Sequence, residues 1–342
     1  MSLRNDLSRR RFTLGAVGLG TLPLLGACSA PAMAPPPLKV GALFAGRIND
    51  HGFMEAGWRG LERARTELGV STHHIDQVAP RKELLAAALT RLAETGHELV
   101  VAHGGQNNEA ATEVAAKFPK VRFVVTQGAV GAPNLCSYEV LQEESAYLGG
   151  VLAALTTRTG VVGHMSGIRV RPGLKGRAAF VAGALATRPD LKVLTNFSGN
   201  QDDNALSQRI AAAQIAAGAD VIFTMLNAGR DGVTQACRTA GTRQIGNVVD
   251  WVRVDPKVFV GSAIADVSIG VYESIKDTQA GGFPAGQSRH IGIANAQAVR
   301  LSMADDVPAA VRDQVAAVAR DIAGGKVKVP LSYEGPEFAT PA

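Results

Sequence analysis

The sequence predicts an α/β protein of two similar lobes, each a doubly wound, largely parallel sheet between helices. Three observations carry this. Short apolar runs recur without polar alternation, as in strands covered on both faces. Segments of helical periodicity separate the runs, and a helical crossover makes consecutive strands parallel. The series also runs once over residues 39–126 and starts again near residue 160.

In the first series, residues 39–44, 98–102 and 121–126 read as strands, and 53–68, 81–95 and 109–118 as helices. Gly69 and Gly96 stand where a helix ends in a left-handed residue. A helix over 141–157 leads to a strand at 160–165. Next come helix 174–187, strand 192–197, helix 203–217, strand 220–225, helix 232–240 and strand 245–249. Strand 258–263, helix 267–279, strand 290–293 and helix 309–323 return to complete both sheets. The expected division is lobe 1 at 38–157 with 265–295, lobe 2 at 158–264 with 296–330, and a tail at 331–342.

The chain has 342 residues, enough for two domains, and 46% hydrophobic against 19% charged residues excludes a disordered chain. Of the formal +5 charge, Arg4, Arg9, Arg10 and Arg11 against Asp6 sit in residues 1–27, leaving about +2 on the rest. With no basic stripe interleaved with aromatics, a nucleic-acid partner is not expected.

Residues 1–27 have the pattern of an export signal. Arg9-Arg10 precede an apolar stretch at 14–25, too short to span a bilayer, and small residues lead into Cys28. The arginine pair points to the twin-arginine route. Leu25-Gly26-Ala27-Cys28 resembles the lipobox of bacterial lipoproteins, which implies lipidation of Cys28. Prolines 31, 35, 36 and 37 then make residues 28–37 an extended tether. Cys136 and Cys237 are expected as free, buried thiols in different lobes.

Five stretches carry a family resemblance. They are Ile48-Asn49-Asp50-His51-Gly52-Phe53 with Trp58, Glu143 to Gly150, Ala179-Phe180 with Gly183-Ala184, Gly218 to Ile222, and Gly324 to Pro330. In this order and spacing the chain resembles the basic membrane lipoprotein family of ABC-transporter substrate-binding proteins. The resemblance implies a type I periplasmic-binding-protein fold, in which two Rossmann-like lobes joined by a hinge close on a ligand. The implied ligand is a purine nucleoside or base, and the implied partners are an ABC permease and, through the lipid, a membrane. It implies a monomer that is no enzyme, with no cofactor.

Candidate ligand-binding residues follow from strand ends and from the resemblance together. Phe53 opens the first helix, where the family stacks an aromatic on the purine, an interaction worth about 1–3 kcal/mol in nucleic-acid binders. Asn49 and Asp50 before it fit either a helix cap or a ligand contact. Gln106 and Asn107 follow the strand at 98–102, and their amides can donate and accept. The resemblance adds Phe180 as a second aromatic face, Asp203 as an acidic contact, and Asn227 and Gly229 on a glycine-rich loop. Asp250 and Trp251 follow the strand at 245–249, where a carboxylate can take ribose hydroxyls or a ring N–H.

The chain departs from the nucleoside receptors of the family at three places. It lacks their phenylalanine near Gln201, has Ala265 for a lysine, and has Val248 for the first acid of a D-x-D motif. Ribose contacts are thereby weakened, and a base is as plausible as a nucleoside. No histidine pair has helical ligand spacing, so no metal is expected. No G-x-S-x-G elbow or strand-linked G-x-G-x-x-G supports the rival reading as an α/β enzyme. A second rival, a ligand-sensing module for a membrane signalling partner, would share the fold.

Overall fold

The computed structural model describes residues 36–339. The expected export signal at 1–27, Cys28 and the tether as far as Pro35 lie outside the described residues, as do 340–342.

The first run is β1 (Lys39–Phe44), α1 (Phe53–Leu68), β2 (Ser71–Ile75), α2 (Lys82–Glu94), β3 (Leu99–His103), α3 (Asn108–Lys117), β4 (Arg122–Thr126) and β5 (Leu135–Val140). The second is α4 (Gln142–Thr156), β6 (Val161–Ser166), α5 (Arg171–Thr187), β7 (Lys192–Phe197), α6 (Asn204–Ala216), β8 (Val221–Met225), α7 (Arg230–Ala240), β9 (Arg243–Val248) and β10 (Phe259–Ala265). Then come α8 (Ser268–Gln279), β11 (Ser288–Ile291), β12 (Val299–Met303) and α9 (Ala309–Ala323).

One sheet has the order β11-β5-β4-β3-β1-β2, and the other β12-β10-β9-β8-β6-β7. Every pairing is parallel except β12, which lies antiparallel along β10 at the edge of the second sheet. In each sheet the order reverses beside the first strand of its series, so a crevice opens at the carboxyl ends of the strands.

The chain passes between the sheets at Val140 to Gln142, at Ala265 to Val267, and between Ile291 and Val299. These crossings are tied to one another. The Leu141 N–H donates to the Ile291 carbonyl (2.9 Å), and the Asp266 N–H to the Ala298 carbonyl (2.7 Å). A separate apolar cluster of Ala56, Val140, Val248, Ala265, Val267, Ala298 and Val299 fills the crossing. Val248 enters it with φ at +68°, a strained conformation for a β-branched residue.

One expected boundary needs correction. The sequence places helix α4 in the first lobe, whereas Tyr147, Leu148, Val151 and Leu152 belong to the core that holds Phe180, Phe223 and Ile245 of the second lobe. The cause is a glycine seam with α5. A Cβ on Gly150 would stand 2.1 Å from the Phe180 carbonyl oxygen, and one on Gly183 2.2 Å from that of Tyr147. Only glycine lets the two backbones approach so closely. Cys136 on β5 and Cys237 on α7 are free and buried, and burial pushes their thiols up to about 12 and about 11.

Among the described residues, no helix is long and apolar enough to cross a membrane, and no group of three or more His, Cys, Asp or Glu is placed to hold a metal.

Candidate functional site

A cavity of about 270 Å³ lies where carboxyl ends of both sheets meet. Ala45, Phe53, Met54, Gly105 and Gln106 line it from the first sheet's side. Ser166, Ile168, Val170, Gln201, Asp202, Met225, Asn227 and Asn247 line it from the second, with Gln142 at the crossing.

Phe53 is the aromatic of this lining, and it is held from behind. Its ring stacks on His103, with centroids 4.3 Å apart and planes at 28°. His103 is fully buried, and burial pushes its pKa down to about 4, so the imidazole is neutral. Its Nε2 lies 3.0 Å from the Phe53 carbonyl oxygen, which can only accept, so the proton sits on Nε2. Nδ1 then accepts from the Thr126 hydroxyl at 2.7 Å.

The polar lining is mostly amide. Gln142 Nε2 and Gln201 Oε1 are buried without a hydrogen-bond partner. Unsatisfied buried groups of this kind cost about 1–3 kcal/mol each, and both belong to residues that line the cavity. Among the described residues, the lining holds one carboxylate, Asp202, and no Lys, Arg or His. Asp202 Oδ1 accepts from the Ala228 N–H (3.1 Å), and the Gln201 carbonyl accepts from Asn227 and Gly229. The loops after β7 and β8 are thus stitched together. Such a lining fits a neutral, flat ligand with donors and acceptors on its edge.

Of the residues singled out in the sequence, Phe53, Gln106 and Asn227 line the cavity. Asn49 is exposed and outside the lining. Asp50 is buried, and its carboxylate accepts from the Gly52, Met54 and Glu55 N–H groups at 2.9–3.0 Å. Burial raises its pKa, and those three donors oppose the rise. Asn107 is also buried, its Nδ2 donating to the His103 and Gly104 carbonyls.

Phe180 is a correction. It is fully buried, away from the cavity, and stacks on Phe223 at 5.0 Å. Asp203 caps α6 by accepting from the Leu206 N–H. Gly229 carries the backbone turn before α7 and accepts from Ser207. Asp250 and Trp251 line a neighbouring cavity of about 530 Å³ instead. There Asp250 accepts from Ser302 (2.7 Å), and the indole Nε1 donates to the Asn247 carbonyl (2.9 Å) beneath the Arg230 guanidinium. Trp251 therefore supports Asn247 from behind.

Sequence reasoning passed over Gln142, Gln201, Asp202 and Asn247. Gln201 and Asp202 share the post-strand loop with Asp203, and a strand-end rule applied to the whole loop would have found them.

Lys175 on α5 is buried between Glu139 on β5 (2.7 Å) and Glu143 on α4 (2.5 Å). It joins the first sheet to the helices of the second. Burial holds the Glu143 pKa above the ordinary carboxylate range, against the pull of Lys175.

A family model described as "ABC transporter substrate-binding protein PnrA-like" matches residues 38–331. The ABC transporter nucleoside-binding protein BmpA of Lactococcus lactis is 25% identical over 95% of this chain and 99% of its own length. A purine-binding protein of Brucella abortus is 26% identical over 64% of this chain and 62% of its own. The crystal structure of a solute-binding protein of an ABC transporter system from Aeropyrum pernix superposes with a TM-score of 0.77 at 21% identity, covering 86% of this chain and 94% of that one.

Proposed function

The chain belongs to the PnrA-like family of ABC transporter substrate-binding proteins, with their type I periplasmic-binding-protein fold, and on that premise we propose that it binds a neutral purine, as base or nucleoside, between its lobes. The family is one of extracytoplasmic solute receptors for ABC importers, not of enzymes. The observation that carries the purine reading is the half-buried Phe53 ring, backed by neutral His103, in a lining rich in side-chain amides: Gln106, Gln142, Gln201, Asn227 and Asn247. Stacking takes the face of a heterocycle, and amides take its edge. The names of two relatives, nucleoside-binding and purine-binding, agree in ligand class.

The same reading makes the protein a monomer that delivers its ligand to an ABC permease. Cys28 is its lipidated first residue after export, and the proline tether holds the lobes near the membrane. Closure runs about the three tied crossing segments, and ligand shifts the balance toward the closed form.

A thermal-shift panel of purine bases, nucleosides, sugars and amino acids tests the ligand class. Ligand at about 100 times its dissociation constant stabilises by about 2.7 kcal/mol. The purines should raise the midpoint, and a rise with a sugar or amino acid alone would overturn the reading. Intact mass of the exported protein tests the anchor: an acylated Cys28 is expected, and an unmodified start beyond it would refute lipidation.

A further inference from the structure

After α9 the chain turns back and runs without helix or strand over residues 326–339. Its last part, from Ser332, lies beyond the span matched by the family model. This part is tied to the second lobe at several points. The Phe338 N–H donates to the Thr195 carbonyl (2.7 Å) on β7, the outermost strand of its sheet, and the Phe338 ring packs on the core behind it. Tyr333 lies under the Arg177 guanidinium, 5.0 Å from its ring centroid.

Glu337 makes the telling contacts. One carboxylate oxygen meets Arg169 Nη2 at 2.5 Å, and the other meets Arg177 Nη1. Arg177 is rooted on α5 and nearly buried, whereas Arg169 stands in the loop after β6 with its side chain half exposed. Both guanidiniums also lie over the Phe197 ring, at 4.6 and 4.9 Å. Arg169 is flanked by Ile168 and Val170, which both line the cavity, as do Pro172 and Gly173 at the start of α5. The loop's other backbone ties run from the Gly167 N–H to Met225, from the Gly199 N–H to the Gly167 carbonyl, from the Val170 N–H to Ile168 within the loop, and from the Leu174 N–H to Val170 at the start of α5.

We propose that residues 333–338 form a strap in which Glu337 is a positioning residue for the cavity loop 167–170, and that the strap thereby raises ligand affinity. Glu337 does not line the cavity. It couples a half-exposed arginine to a nearly buried one, so the loop's apolar side chains are set before a ligand arrives, which lowers the ordering cost of binding. This rests on the reading above that the cavity is the ligand site.

The test uses the full chain, its Glu337→Gln and Glu337→Asp variants, and a chain ending at Leu331. Hydrogen exchange without ligand reads the loop, and calorimetry with adenine and inosine reads affinity. Glu337→Gln and the shortened chain should speed exchange across residues 167–173 by about tenfold, leave β1 and β3 unchanged, and raise the dissociation constant about three- to tenfold. Glu337→Asp should recover part of both effects. Unchanged loop exchange in Glu337→Gln overturns the strap. Faster exchange with unchanged affinity overturns its role in binding. If neither probe binds the parent protein, the purine reading fails, and the exchange result alone decides the strap.

Discussion

The Phe53 ring stacks on the His103 imidazole at 4.3 Å, and the same imidazole donates its Nε2 proton to the Phe53 carbonyl. Ring and backbone of one residue are thus held by one buried side chain. The ring reaches the cavity already oriented, so a stacked ligand pays little to order it.

Replacing Phe53 with alanine should weaken purine binding about 10- to 100-fold, the equivalent of about 1–3 kcal/mol of stacking. Phe53→Tyr should keep most of the affinity. Calorimetry on both variants checks this. The fold should survive, because Phe53 is only half-buried and packs at the margin of its core.

How much of this was legible in the sequence depends on the residue. Strands such as β1 and β7 and helices α1 and α9 stand where apolar runs and terminal glycines put them. Strand β2 was missed because Ser71 to Ile75 is a polar edge strand that buries little. Strand β5 was missed for the opposite reason: Ser137 and Glu139 interrupt its apolar run, yet both are buried because Val130 and Lys175 satisfy them. Long-range partners decide such positions, and no local pattern records them.

At the site, Phe53 lines the cavity, where its place after the first strand and the family resemblance put it. Phe180 misled because α5 is buried on most of its circumference, from Gly173 to Ala184. Its periodicity does not separate a cavity-facing position from a core position. Asp50 reads from sequence as either ligand contact or cap, and its carboxylate accepts from the first-turn N–H groups of α1, as that of Asp203 does at α6.

Acid should destabilise the protein through two buried histidines. His103 and His164 are fully buried, and burial lowers them from about 6.5 to about 4 and about 3. The unfolded chain takes up these protons below pH 6.5, while the folded protein resists until pH 4 and 3. The stabilisation is therefore complete above pH 6.5 and is lost as pH falls toward 4, on the order of 3 kcal/mol for each group. Urea unfolding between pH 7.5 and 4.5 should show this slope. His164→Gln should flatten it, and an unchanged slope would count against the assignment.

Gly183→Ala should cost stability at the α4–α5 seam and leave the cavity lining alone. The new Cβ would meet the Tyr147 carbonyl oxygen at 2.2 Å, and backbone cannot step aside as a side-chain tip can. Overpacking of this kind costs about 1–3 kcal/mol. The chemical-denaturation midpoint should fall accordingly. A control at Gly69, whose Cβ direction is open but whose φ is +67°, should lose less.

The last prediction concerns Lys175, buried with Glu139 and Glu143 where the lobes join. Its charge is worth most when one partner is removed alone. Lys175→Met leaves Glu139 nearly buried, with the partly exposed Arg171 guanidinium at 3.4 Å as its remaining cationic neighbour. Breaking a buried pair in this way costs about 3–5 kcal/mol, because the surviving charge keeps its desolvation penalty. Glu139→Gln leaves Lys175 still paired with Glu143 and should cost less. Lys175→Met strands both Glu139 and Glu143, and the double variant removes one of these two carboxylates, so it should be more stable than Lys175→Met alone. A double-mutant cycle by urea unfolding at pH 7.5 measures the coupling. Additive losses would mean that the 2.7 Å contact contributes no specific energy.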